Sequence, residues 1–171
     1  MGIASYVGID PDPEAIRFCE AMDPSGRGTY LQGFGEDLTR VPDRSCSFVM
    51  ARVSVPYMDI GAFVREAHRV LEPGGQLWIS YHTPRHVVHH LGQSLRARHV
   101  KDIVFRSYVL VNGAAFHLFG RQFRFPYNGR IESFQTRRAL RRALVGAGFG
   151  DVEFQYDSRR DLASAMARRA R

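Results

Sequence analysis

Residues 59–80 read DIGAFVREAHRVLEPGGQLWIS, and the fold class follows from them. Ile60, Phe63, Val64, Ala67, Val70 and Leu71 recur at i, i+3, i+4, i+7, i+10 and i+11, which is one continuous apolar stripe on a helix. Asp59 stands where an N-cap belongs. Pro73-Gly74-Gly75 stops the helix, and Gln76 to Tyr81 resumes as a strand.

The same rhythm extends towards the N-terminus. Tyr6-Val7-Gly8-Ile9-Asp10 is a short apolar run closed by a carboxylate and predicts a buried strand. Asp12-Pro13-Glu14 supplies a cap, a first-turn proline and a first-turn charge for a helix with Ala15, Ile16, Cys19 and Met22 facing inward. Thr29 to Gly33 predicts a second strand, Gly33 to Asp37 a glycine-containing loop, and Ser47 to Arg52 a third strand. Strand, helix, strand, helix, strand is the order of an α/β fold with a mostly parallel sheet.

From Thr83 to about Ser133 the rhythm is lost among Phe105, Tyr108, Phe116, Phe119, Phe123, Phe125 and Tyr127. This stretch is too apolar for a linker and reads as an inserted, mostly helical lid. Thr136 then caps a helix with Leu140, Ala143, Leu144 and Ala147 inward and Arg137, Arg138, Arg141 and Arg142 outward. Gly148 is its terminator, and Asp151 to Tyr156 alternates like a strand. Leu162 to Arg171 fits either a short strand or a frayed helix. The expectation is one domain, with 1–82 as the α/β core, 83–135 as the lid and 136–171 as a C-terminal helix and strand or strands.

Composition bounds the function. The 171 residues are 44% hydrophobic and 24% charged, which excludes a disordered tail, a collagen repeat and a coiled coil. No apolar run reaches the roughly 18–20 residues of a membrane-spanning helix. The N-terminal residues carry no secretory signal pattern. Two cysteines without motif spacing fit a reducing, cytoplasmic setting. All of the +7 net charge falls in residues 121–171, with 12 Lys+Arg against 5 Asp+Glu. Without aromatic-interleaved basic motifs, that reads as a solvated arginine face, and nucleic acid is not expected as a partner.

Taken together, these segments resemble a class I S-adenosylmethionine-dependent methyltransferase of the small-molecule type. Residues 6–16 are similar to the family's second strand and its acidic tip, and residues 33–38 with 41–45 to its third-strand loop. Residues 67–80 resemble its helix-Pro-Gly-Gly-strand signature, and residues 140–154 its Ala-Gly-Phe turn. The resemblance implies S-adenosylmethionine as cofactor and a Rossmann-like sheet with ligands beyond the strand ends. Asp10 would hold the ribose hydroxyls, or else serve as a turn acid. Pro11 would lie beside the sugar or adenine, and Gly33, Phe34 and Gly35 at the adenine. Phe34 stands where the family places an aspartate, so Glu36 or Asp37 would have to accept the adenine amino group. Arg52 either faces the cofactor carboxylate or makes a surface ion pair.

The family also begins with a strand and a G-x-G-x-G loop that this sequence lacks. The expectation is an N-terminally truncated or remnant methyltransferase whose own activity is uncertain, with a sheet that a partner segment would complete. On the acceptor side, His82 is the one candidate for a general base, if the reaction needs one. A metal site at His82, His86, His89 and His90 is not expected, because Pro84 interrupts the helix and no ligand set completes it. Tyr57 and Tyr81 are further acceptor-side candidates. The phenylalanine-rich lid suggests an apolar acceptor, or simply packs the lid itself. Cys19 and Cys46 read as small interior hydrophobes.

Overall fold

A computed structural model describes residues 4–156 and 162–170. In chain order it contains β1 (Tyr6–Asp10), α1 (Pro13–Ala21), β2 (Gly28–Gln32), β3 (Cys46–Ala51), a 3₁₀ turn (Val55–Tyr57), α2 (Ile60–Val70) and β4 (Leu71–His82). These are followed by α3 (Pro84–Arg96), α4 (Val100–Phe119), α5 (Arg137–Gly146), β5 (Phe149–Tyr156) and β6 (Leu162–Arg169).

The helix predicted from residues 59–71 is α2. Asp59 accepts the Ala62 N–H at 2.9 Å, and Ile60, Phe63, Val64, Ala67 and Val70 are buried. Burial of Ile60, Phe63 and Val64 stabilises the fold by about 1.5–3 kcal/mol each. The helix ends because Leu71 turns extended, and β4 starts there, taking in Pro73-Gly74-Gly75. Two arginines finish α2. Arg69 bonds Glu66 and the carbonyls of Leu38 and Val41, and pairs with Asp43, tying the loop after β2 to the helix. Arg169 of β6 donates to the carbonyls of His68, Arg69 and Leu71, orphan acceptors at the helix C-terminus.

The strands form two sheets. β1 and β2 pair in parallel, Tyr6 opposite Gly28 through Asp10 opposite Gln32. The second sheet runs β3-β4-β6-β5: β3 pairs with β4 in parallel, and β6 pairs antiparallel with both β4 and β5. The undecided C-terminal segment is therefore a strand over 162–169, while residues 157–161 and 171 lie outside the described residues. Among the described residues β1 and β3 share no ladder. They meet at the cluster of Leu38, Val41 and Val70, on which Ile9 and Val49 both pack. Val7, Phe48 and Met50 remain 44%, 48% and 62% exposed, where strands inside a parallel sheet would be covered.

Three local expectations need correction. The stripe on α1 is not inward: Ala15 and Ile16 are half-buried, but Cys19 and Met22 are exposed. α1 packs on the two-stranded sheet of β1 and β2. Cys19 is accordingly no interior hydrophobe; Cys46 is half-buried. Pro84 does not interrupt its helix but starts it. It sits in the first turn of α3 behind the Thr83 cap, where its missing N–H costs nothing.

Within residues 84–136, Val87, Tyr108, Val109 and Phe134 form a second small core with Phe105, Leu110 and Phe125. Asn112, wholly buried, donates to the Tyr108 hydroxyl and the Glu132 carbonyl and accepts the Phe123 N–H. The arginines of α5 are largely used inside the molecule. Arg137 lies over Phe154 and Tyr156, Arg141 donates to the Val152 carbonyl, and Arg142 donates to the carbonyls of Phe116 and His117.

Gly113 and Gly146 make opposite predictions. A methyl at Gly113 runs into the Phe134 ring, so Gly113→Ala should lower stability by about 1–3 kcal/mol. A methyl at Gly146 meets open space, so Gly146→Ala should raise it by about 0.4–1 kcal/mol. Urea unfolding followed by the fluorescence of Trp78, the one tryptophan, measures both.

Candidate functional site

Parallel pairing brings strand ends together. Asp10 and Gly33 emerge at the same end of the first sheet, where the Gly33 N–H donates to the Asp10 carbonyl at 3.1 Å. Arg52 and His82 follow the paired ends of β3 and β4.

At the first pair, one Asp10 carboxylate oxygen accepts the Asp12 N–H at 2.8 Å, so Asp10 does form the turn that a strand-end acid can form. Asp12 caps α1 through the Glu14 N–H. Pro11 is exposed, and its carbonyl accepts from Gln32. Phe34 stands 62% exposed at the loop tip. Gly35 is pressed against Met58 and Phe63, where a Cβ would lie 2.8 Å from Met58 Cε. Of the two acids expected to replace the family aspartate, Asp37 is engaged, whereas Glu36 uses one oxygen and keeps Oε2 buried without a partner among the described residues. Glu36 accepts the Asp59 N–H at 3.0 Å and so holds the start of α2. Asp37 accepts the Thr39 N–H, and its bonds to Thr39 hold its carboxyl below the usual range.

At the second pair, Arg52 is exposed. Val53 follows at φ 58°, a left-handed conformation that a β-branched residue adopts only under constraint. Its N–H donates to Ser80 Oγ of β4 at 2.7 Å, which holds it there.

His82 lies deeper, only 5% exposed. Its ring stacks on His86 at 4.1 Å and meets Tyr57 edge-on at 5.8 Å. Its carbonyl accepts the Gln135 N–H at 2.9 Å. His82 Nδ1 and Gln135 Oε1 are both buried without a hydrogen-bond partner among the described residues. Burial, reinforced by His86, Arg106 and His90, pushes the imidazole down to about 4, so the ring is neutral at neutral pH. Beside it, Arg106 donates to Glu132 at 3.1 Å. Burial raises the Glu132 carboxyl, with Arg106 opposing. Burial and then Glu132 raise the half-exposed Tyr57. The three imidazoles of residues 82, 86 and 90 pile ring on ring rather than converging on a point. Among the described residues no three His, Cys, Asp or Glu side chains form a ligand set.

Asp10, Pro11, Gly33 and Phe34 thus share one strand end, with Gly35 packed behind them, whereas His82 belongs to a polar cluster of its own. Arg106, Glu132 and Gln135 escaped sequence reasoning, because polar residues in an aromatic-rich stretch look solvated. Glu132, Ser133 and Gln135 are in fact all buried. The only trace was an apolar partner on either side, Ile131 and Phe134.

Comparison with known proteins shows the fold. Residues 1–79 match the family described as a methyltransferase domain. A probable phthiotriol/phenolphthiotriol dimycocerosates methyltransferase of Mycobacterium ulcerans is 36% identical over 76 residues, which is 44% of this chain and 29% of the relative. An S-adenosylmethionine-dependent methyltransferase from Mesorhizobium loti superposes with TM-score 0.67 at 17% identity, covering 98% of this chain and 82% of that one. A chain from the complex of the Haloferax volcanii Trm112 methyltransferase activator with a methyltransferase superposes with TM-score 0.69 at 15% identity, covering 99% and 73%. The chain carries the class I S-adenosylmethionine-dependent methyltransferase fold. The stretch matched to the curated relative covers 29% of that protein's length.

The His82 environment predicts a pH effect. Between the ordinary histidine value of 6.5 and about 4, the unfolded chain takes up a proton that the folded chain refuses. His82 therefore makes stability fall as pH drops through that window. Denaturant midpoints taken at about pH 7 and about pH 5 should fall further in the native protein than in His82→Gln. An NMR titration should find the His82 ring neutral until near pH 4.

Proposed function

We propose that this chain binds S-adenosylmethionine and takes part in methyl transfer to a small-molecule acceptor. The reading rests above all on Asp10, an exposed strand-end carboxylate bonded through its backbone to the loop that presents Phe34. One Asp10 oxygen is used in the turn, and the other faces the ribose hydroxyls. Pro11 borders the sugar, and Gly33 gives the base close backbone approach. Phe34 stacks on adenine, while Gly35 lets the loop sit tightly on the 3₁₀ turn. Asp37 is engaged with Thr39 and one Glu36 oxygen with Asp59, so adenine recognition rests on stacking. Arg52, at the end of β3, pairs with the cofactor carboxylate through its planar fork.

The sulfonium of the bound cofactor supplies an electrophilic methyl group. The remaining task of the protein is to hold an acceptor atom in line with it and keep water away. Residues 83–135 cover the His82 side as a lid. With its ring held neutral far below neutral pH, His82 positions the acceptor rather than storing its proton.

The unpaired edges of β1 and β3 add a condition. Exposed Val7, Phe48 and Met50 fit a sheet that one further strand bridges, supplied from outside the two described sheets. The same edges favour a second reading, an interaction module without catalysis. Among the described residues no helix is long and apolar enough to cross a membrane.

Calorimetric titration with S-adenosylmethionine separates the two readings. Saturable binding is expected, and Asp10→Ala should weaken it about 10- to 150-fold, the loss of hydrogen bonds to a charged group. Unchanged affinity in Asp10→Ala would remove the ribose assignment. No binding, even with the sheet completed by a supplied strand, would leave the interaction module.

A further inference from the structure

α4 is apolar on two opposite sides, and only one of them is covered. Tyr108, Val109 and Phe116 turn into the domain and are buried. On the other side, Val100, Val104, Ser107, Val111, Ala114 and Leu118 fall within about 40° of one line along the helix. All six are exposed, with Val100, Val111 and Leu118 at 71%, 60% and 63%. The stripe runs for about 27 Å and contains no charged residue. A helix that is apolar all round belongs in an interior or against a second apolar phase.

We propose that the outer side of α4 is a docking surface for an anionic lipid bilayer, on which the helix lies flat rather than crossing it. The inference goes beyond the cofactor reading, since it needs neither S-adenosylmethionine nor methyl transfer.

Charge complementarity selects that partner. Residues 83–131 hold eight Lys and Arg but one acid, Asp102, which lies 3.4 Å from His99 Nδ1. Arg96, Arg98 and Lys101 are exposed around the start of the stripe, and Arg121, Arg124 and Arg130 beyond its end. An apolar strip between basic ends matches the boundary of a bilayer, where acyl chains meet anionic headgroups. Phe119 and Tyr127, 73% and 92% exposed in and after the last turn, are of the aromatic kind that favours this boundary. α3 packs beside α4 and adds Val88 and Leu95, both exposed and seven residues apart on one side of their helix.

Other occupants fit less well. A second copy would bring basic ends against basic ends, which repel. Nucleic acid would meet the basic ends through its phosphates and leave the apolar stripe in water.

The test is flotation of the full chain with lipid vesicles. Native protein should float with vesicles of equal parts phosphatidylglycerol and phosphatidylcholine, and stay in solution with phosphatidylcholine alone. Raising salt from about 0.1 M to about 1 M shortens the screening length from about 10 Å to about 3 Å and should weaken binding at least ten-fold. The triple variant Val104→Ser, Val111→Ser and Leu118→Ser should bind at least ten-fold more weakly. Lys101→Gln with Arg121→Gln should lose at least five-fold. All five side chains stand in water, so both variants should keep nearly the native urea midpoint.

Absent vesicle binding, equal binding to neutral vesicles, or a serine variant that binds like native protein overturns the proposal. So does a dimer in sedimentation that the serine variant dissociates while vesicles stay bare, which assigns the face to a second copy. Titration of the same chain with S-adenosylmethionine keeps the two readings apart. Its failure leaves the lipid surface standing, and failed flotation leaves cofactor binding untouched.

Discussion

Ile60, Phe63, Val64 and Ala67 of α2 bury against β3 and β4, while Val70 at the end of the same stripe buries against Leu38 and Val41, where Ile9 of β1 also packs. One helix is thus the shared support of two sheets that have no hydrogen bonds between them among the described residues. The Arg69 cluster clamps the loop after β2 onto α2, and Arg169 clamps β6 onto its C-terminus. Removing the stripe would let the strand ends carrying Asp10 and His82 move independently. The relation between the Asp10 and His82 strand ends therefore depends on apolar burial along eleven residues.

The two halves of the site obey different physics. Asp10 and Phe34 are exposed groups set by turns and caps, and in the proposed function they present a carboxylate and a ring to a nucleoside. His82 and its neighbours are shut away from water, where each charge acts strongly and a polar atom without a partner is costly. That is why the histidine at this strand end is neutral at neutral pH.

The exposed edges of β1 and β3 form a third feature. Apolar residues there match the pattern of a sheet interior but have no cover.

Most of the fold was legible in local pattern. The cap at Asp59, the stripe to Val70, the cap at Asp12 and the strand ending at Asp10 follow from short-range rules, because caps and periodicity act within one or two turns of chain. The family motifs were legible for the same reason. What tertiary structure alone decided was burial and pairing: that Cys19 faces solvent, that 162–169 is a strand between β4 and β5, that Glu36 serves α2, and that Arg106, Glu132 and Gln135 gather on His82. These depend on contacts between residues far apart in sequence, and no local preference carries that information. The sequence by itself determined which segments are strand or helix and where the acidic tip lies. The tertiary structure decided which polar groups lose water, and hence what chemistry each can perform.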